Sequence, residues 1–224
     1  MNGDFNWKIF EENIIMIGAP GTGKTKKAQE ILTYDIDPST PVWVEDYSDK
    51  FGNYGYVVKT VEDLKYGGRY IFQGKDKTVE SYKKFCEKLG QQWNIVAIHD
   101  EIHQFNTKQS LILEQRNLIQ SRRNQGVCNI FISTDTSSIP NYVIKGCTHA
   151  FVFRLNLPDD VKWVAKWAGA KAWQLLPKDK RQYDRIGRQF INEPEVSEHG
   201  YLYRNMKESE SYIFGVKDGN NQTP

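Results

Sequence analysis

Cysteine is scarce in this chain. Its three, Cys86, Cys128 and Cys147, are odd in number, far apart and without CxxC spacing. That excludes a disulfide framework and a thiolate zinc site, and leaves reduced thiols as the expectation. Long apolar runs are also missing. No stretch approaches the ~18 consecutive apolar residues that a membrane helix needs, and the mean hydropathy is -0.64. The opening MNGDFNWKIFEEN is acidic and lacks the basic-then-apolar order of a secretory signal. A soluble, intracellular, cytoplasmic protein is therefore expected, with no membrane segment. Neither sign of charge dominates: 30 Lys and Arg face 28 Asp and Glu, a net charge of +2. Any basic surface must be local. Internal repeats and low-complexity tracts are absent as well, which excludes a collagen-like or disordered chain.

What is present is ordinary globular material: 224 residues, 39% hydrophobic, 26% charged and 13% aromatic. A chain of this size buries roughly 70–75% of its extended surface and needs no staples. The front two-thirds alternates short apolar runs with amphipathic stretches. The expected strands are Asn13–Gly18, Pro41–Asp46, Gly55–Thr60, Arg69–Gly74, Asn94–Glu101, Val127–Thr134 and His149–Leu155. The expected helices are Thr25–Thr33, Asp76–Gln92, Ser110–Gly126 and Leu157–Ala170, the last opened by a Pro-Asp-Asp cap. Strands alternating with helices imply crossovers and a mainly parallel sheet covered on both faces. Tyr201–Val216 reads as an antiparallel hairpin. The expected organisation is one domain over 1–217, with a core at about 13–176, a basic and β-rich extension at about 177–217, and a flexible tail at 218–224.

Gly18-Ala19-Pro20-Gly21-Thr22-Gly23-Lys24-Thr25 satisfies G-x-x-x-x-G-K-[ST] between an expected strand and an expected helix. Glycines let consecutive N–H groups turn inward around phosphate oxygens, and the helix start adds its positive dipole end. Lys24 reaches the β- and γ-phosphates, and the Thr25 hydroxyl suits Mg²⁺. The apolar strand Asn94–His99 closes in Asp100-Glu101. Asp100 is placed for the Mg²⁺ shell, and Glu101 for taking a proton from the attacking water. His99 and His103 flank these acids, but the H-E-x-x-H zinc pattern needs Glu directly after the first His, and that slot holds Asp100. Both histidines are expected to pack beside the acids.

A GTPase would carry an N/T-K-x-D motif after the acidic strand, and none follows. A small-molecule kinase has little need of the paired acids. With GAPGTGKT, VAIHDE, Ser121–Pro140 and Phe151–Asp160, the chain resembles the FtsK–HerA superfamily of ring-forming ATPases. Within it the chain looks most like the genome-packaging ATPases of tailless icosahedral double-stranded DNA viruses, archaeal ones included. The resemblance spans roughly Asn13–Leu176. It implies a RecA-like P-loop NTPase fold, ATP and Mg²⁺ as cofactors, and a hexameric or pentameric homo-oligomeric ring. It also implies double-stranded DNA and a capsid vertex protein as partners, and a place in the host cytoplasm or on the virion. It makes Thr134 a γ-phosphate sensor, although Ser133-Thr134-Asp135 stands where the family usually shows Thr-Gln. It makes Arg122 or Arg123 a finger completing a neighbour's site, with Arg116 and Arg154 as further candidates; the first two also suit capping of a helix C-terminus.

From Lys162 to Arg188 there are eight basic residues and two acids, a local charge of +6, with Trp163, Trp167, Trp173 and Tyr183 interleaved. Such a strip can hold a phosphate backbone without reading sequence. A solvated helix face with core-packed tryptophans is the competing reading. Thr136–Asn141 and Phe105–Gln109 are candidate pore loops. The resulting expectation is an ATP-hydrolysing motor that translocates double-stranded DNA into a preformed capsid. The alternatives are a filamentous-phage-type assembly ATPase, a small-molecule kinase, or a nucleotide-dependent switch or scaffold.

Overall fold

The computed structural model describes residues 12–107, 111–177 and 195–216, and within these the side chains of 121–123 lie outside it. Nine strands are present among the described residues. They are β1 (Asn13–Ile17), β2 (Val42–Glu45), β3 (Tyr56–Val58), β4 (Arg69–Phe72) and β5 (Ile95–His99), followed by β6 (Val127–Ser133), β7 (His149–Phe153), β8 (Val196–Asn205) and β9 (Glu210–Val216). Their order in the sheet is β3-β4-β2-β5-β6-β1-β7-β8-β9. The fold is α/β with a mostly parallel sheet, as the alternation of runs implies. The chain divides into two compact units, one drawn from 1–15, 25–133 and 138–148, the other from 16–24, 134–137 and 149–224.

In the first unit, β3 pairs with β4, β4 with β2, β2 with β5 and β5 with β6, all parallel. Every residue of β1, β2, β5 and β6 is buried. This is why these strands read as unbroken apolar runs rather than alternating ones: both faces are covered. Helix α2 (Val79–Leu89) shows how sequence sets an element here. Thr78 caps it, accepting from the Ser81 N–H at 3.2 Å. Tyr82, Phe85, Cys86 and Leu89 form its buried stripe. Phe85 stacks on Phe72 with centroids 5.9 Å apart, and Tyr82 on Phe105 at 4.1 Å. Each large side chain so buried contributes ~1.5–3 kcal/mol.

The same unit buries a polar relay. Asn129 donates its amide to Asn13 Oδ1 at 2.9 Å, and its own Oδ1 meets His99 Nε2 at 3.1 Å. His99 Nδ1 meets Tyr82 OH at 2.9 Å. Because the Asn129 oxygen can only accept, His99 carries its proton on Nε2 and accepts from the tyrosine. Burial, partly offset by the Asn129 bond, lowers the His99 pKa to about 4. The ring is neutral and structural.

Helix boundaries differ from those the sequence pattern suggests. Helix α1 covers Lys24–Glu30 and passes into a π turn over Ile31–Asp35; nothing in ILTYD marks that widening. Helix α3 covers Leu113–Gln125 and stops at Gly126, whose φ is 67°. The short α4 (Asn141–Gly146) was not expected. All three cysteines are free and buried.

In the second unit, β7, β8 and β9 are antiparallel neighbours, so the expected hairpin is present. β8 starts earlier than expected, with a register shift between Val196 and Tyr201. Glycines make that irregularity possible: a Cβ on Gly200 would fall 2.7 Å from the Gly215 carbonyl oxygen, and Gly215 has φ +70°. Helix α5 (Pro158–Ala168) buries Val161, Val164 and Ala168, with Ala165 half-buried. The expected Pro-Asp-Asp cap is corrected in part. Pro158 does occupy the first turn, but no side chain caps the helix; Asp160 instead accepts from the Thr136 hydroxyl. A 3-10 turn, Ala170–Leu175, follows and buries Trp173. Among the described residues no helix is long and apolar enough to cross a membrane.

Candidate active site

The phosphate loop leaves the end of β1 at Gly18. Gly21 and Gly23 have φ of 78° and 104°, a region open to glycine and costly for other residues. Gly18 is needed for a different reason: a Cβ there would lie 2.6 Å from Phe153 Cβ. The loop is pinned from outside by the Ala19 N–H donating to the Arg154 carbonyl at 2.9 Å, and from inside by the Thr22 hydroxyl donating to the Ala19 carbonyl at 2.8 Å. Lys24 is 5% exposed, and its ammonium donates to the Gly18 and Ala19 carbonyls at 2.8 Å each. A lysine buried under a Gly-rich loop brings a fixed positive charge to backbone amides, the composition of an anion cradle. Thr25, half-buried, is the second residue of α1.

The acidic strand end belongs to the first unit. Asp100 follows β5, is 1% exposed, and accepts from the Ser48 N–H at 3.0 Å and from the Ser48 hydroxyl. Burial raises its pKa to about 6, the Ser48 bonds resist that rise, and the Glu101 charge adds to it. Glu101 is left-handed, φ 50° and ψ 50°, a conformation uncommon for a residue with a side chain. Its Oε2 lies 3.2 Å from His103 Nδ1. Hard hydroxyl and carboxylate oxygens such as those of Thr25 and Asp100 are the donor set Mg²⁺ prefers, so these residues fit that ion.

Thr134 directly follows β6, and Asp135 turns on itself, accepting from Ser137 N at 2.7 Å and Ser137 Oγ at 2.6 Å. Arg122 and Arg123 lie on α3, and their side chains fall outside the described residues. Arg154 pairs with Glu195 at 3.5 Å, and Arg116 sits over the Tyr142 ring at 5.1 Å. The basic strip is described only to residue 177; Lys178, Lys180, Arg181, Arg185, Arg188 and Tyr183 lie outside. In its described part Trp173 is 6% exposed, as the packed-tryptophan reading expects, whereas Trp163 and Trp167 are half-buried and meet each other edge to face at 5.7 Å. Of the Phe105–Gln109 candidate loop, Phe105 and Asn106 are buried in the core, which corrects their reading as pore contacts; 108–109 lie outside the described residues. Thr136, Ile139 and Pro140 are likewise buried.

Sequence reading missed three neighbours of these groups. Glu45, at the end of β2, is 4% exposed, and its carbonyl accepts from the Asp100 N–H at 3.1 Å. Burial holds its carboxyl well above the usual range, with the Asp100 and Asp46 charges adding. Ser48 was missed because it lies 52 positions from the Asp100 it binds. His199 was missed because only the β8 irregularity brings it against the loop, its Nδ1 lying 3.6 Å from where a Gly23 Cβ would stand. The acid pair closing PVWVED was the one available signal among these.

Comparison with solved structures bears on the fold that carries these residues. The genome packaging NTPase B204 of Sulfolobus turreted icosahedral virus 2, in complex with ATP-gammaS, aligns with a TM-score of 0.72. Identity is 14%, over 91% of this chain and 97% of that one. The fold is that of a P-loop NTPase. B204 of Sulfolobus turreted icosahedral virus, described as a DNA-packaging ATPase, shares this fold at a TM-score of 0.61 and 15% identity, over 91% of this chain and 96% of its own. EssC from Geobacillus thermodenitrificans, ATPases 2 and 3, aligns at 0.51 and 13% identity, over 96% of this chain and 41% of its own. No protein-family model matches the chain, and no curated protein matches it. At 13–15% identity these likenesses are likenesses of fold, and at that level they agree with the α/β NTPase architecture expected from the motifs.

Proposed function

We propose that this chain hydrolyses ATP and uses the turnover to move double-stranded DNA as a homo-oligomeric ring, in the manner of a viral genome-packaging motor. The observation that carries the reading is the phosphate loop. A buried Lys24 folds over Gly18 and Ala19 beneath two positive-φ glycines, on a fold shared with NTPases solved in complex with ATP analogues. The loop amides and Lys24 hold the phosphates. Thr25 and Asp100 would hold Mg²⁺, which would supply charge neutralisation for the phosphoryl oxygens. Glu101 accepts a proton from water as its oxygen attacks the γ-phosphorus. The β–γ bridging P–O bond breaks, and ADP and phosphate leave. Thr134 senses the γ-phosphate, and Arg122 or Arg123 of a neighbouring copy neutralises the charge that develops, a contribution of ~10³–10⁵ in rate.

The test is steady-state ATP hydrolysis with and without linear duplex DNA, with Lys24→Ala as the blank. Turnover that DNA raises and that the blank lacks is the expected result. Hydrolysis indifferent to DNA would leave an ATPase with a different track. Glu101→Gln should still bind ATP while turnover falls ~10²–10⁴-fold, the usual contribution of a positioned base. A full-rate Glu101→Gln enzyme would place the base elsewhere.

A further inference from the structure

Two oxygens of the first unit converge on one ring nitrogen. His103 sits in the 3-10 turn Ile102–Gln104 that follows Glu101. Its Nδ1 lies 3.2 Å from Glu101 Oε2 and 3.3 Å from the Oγ of Ser133, the last residue of β6. Its Nε2 lies 2.8 Å from the side-chain nitrogen of Gln104, and that amide is oriented from its other end by Tyr47 OH, which donates to Oε1 at 3.5 Å. An amide nitrogen only donates. His103 Nε2 therefore accepts, and the neutral ring carries its proton on Nδ1. A carboxylate oxygen and a hydroxyl oxygen thus both lie within 3.3 Å of the nitrogen that carries this proton. The carboxylate is the stronger acceptor. Glu101 itself holds a left-handed backbone, φ 50° and ψ 50°, and such residues persist where surrounding contacts fix them.

We propose that His103 is the positioning residue for the Glu101 carboxylate, and that its contact with Ser133 ties that carboxylate to the end of the strand that continues into Thr134. The inference rests on Glu101 being the group that takes the proton from water. One N–H cannot bond fully to two acceptors, so the share Glu101 receives depends on where Ser133 stands. Ser133 immediately precedes the proposed γ-phosphate sensor, and a shift of that segment is transmitted to the base through one imidazole. The arrangement orients an oxygen of Glu101 before water arrives, and misplacement by about 1 Å is enough to cost ~10²-fold in rate.

The experiment uses the full chain with MgATP and four variants: His103→Ala, His103→Asn, His103→Gln and Glu101→Gln. Asparagine places its amide nitrogen near the position of Nδ1 and keeps a donor for Glu101; glutamine reaches toward Nε2 and does not. His103→Ala should lose ~10–100-fold in kcat, with KM for ATP and the Kd of a fluorescent ATP analogue within about twofold of wild type. His103→Asn should stay within about threefold of wild type, whereas His103→Gln should resemble alanine. In a Glu101→Gln background, His103→Ala should add no further loss, because the two residues act as a unit. If the alanine variant does not fold, the asparagine and glutamine variants decide the matter between them. A wild-type kcat in His103→Ala, equal kcat values in His103→Asn and His103→Gln, or additive losses with Glu101→Gln would each overturn the inference. A full-rate Glu101→Gln enzyme instead overturns the assignment of the base, whatever His103 does.

Discussion

At Glu45 the first unit buries a carboxyl whose Oε2 has no hydrogen-bond partner. Its raised pKa has a thermodynamic consequence. The folded chain holds the proton, the unfolded chain releases it above about 4.5, and the stability this group contributes is lost as pH rises. Asp100, raised to about 6, acts with the same sign between pH 3.8 and 6. His99 acts oppositely: it resists protonation down to about 4, so its contribution is lost as pH falls below 6.5. Glu45→Gln should therefore stabilise the protein, and more at pH 8 than at pH 5. The rise in Tm should be roughly 2–4 °C per kcal/mol gained for a chain of this size. Thermal melts of both proteins at the two pH values check this, and no gain at pH 8 would refute it. Glu45, Ser48 and the His103 contacts were illegible in the sequence for one reason. Their roles come from partners brought together by strand pairing, whereas the phosphate loop is eight consecutive residues whose local geometry its own glycines specify.

At the scale of elements, the buried strands were legible because burial on both faces leaves an apolar run bounded by polar residues. The exceptions inside those runs carry information. Asn13 on β1, Asn129 on β6 and His99 on β5 are polar residues in fully buried strands, and the relay joins them to Tyr82 on α2. Leucine at 129 would match the strand pattern but would orphan His99 Nε2 in the core. Asn13 Oδ1 would keep only the residue-129 backbone N–H, now at 3.2 Å. We expect Asn129→Leu to cost about 2–3 kcal/mol, the penalty for a buried polar group left unpaired plus the lost bond. Urea denaturation measures it; a change below about 0.5 kcal/mol would mean that the relay contributes little. Where elements were misjudged, the determinants were weak or distant. The π turn after α1 has no signature of its own. The six residues of α4 are too few for a periodic pattern. The start of β8 depends on Gly200 approaching Gly215, a contact between strands.

For the whole molecule, a formal charge of +2 sets no strong long-range field, so the DNA engagement we propose requires a local patch and multiplicity. Lys178, Lys180 and Arg181 test the patch: reversing their charges should lower duplex affinity and flatten its salt dependence, with basal turnover unchanged. Multiplicity has a sharper test, because a finger acting in trans separates two defects that look alike in pure protein. A Lys24→Ala subunit cannot bind phosphate but still offers Arg122 and Arg123 to its neighbour. A subunit lacking the finger binds ATP but cannot complete the next site. Each preparation alone should turn over at background. Mixed, those interfaces that join an intact phosphate loop to an intact finger regain the missing charge, worth ~10³–10⁵ in rate. Turnover in the mixture should therefore exceed that of either parent and peak near equal proportions. If mixing restores nothing, the arginine acts within its own subunit; if the Arg122→Ala and Arg123→Ala proteins work at full rate unmixed, the finger is another residue. Arg154 is the next to test, since its pairing with Glu195 at 3.5 Å is a contact that ring assembly could exchange for a neighbour's phosphate.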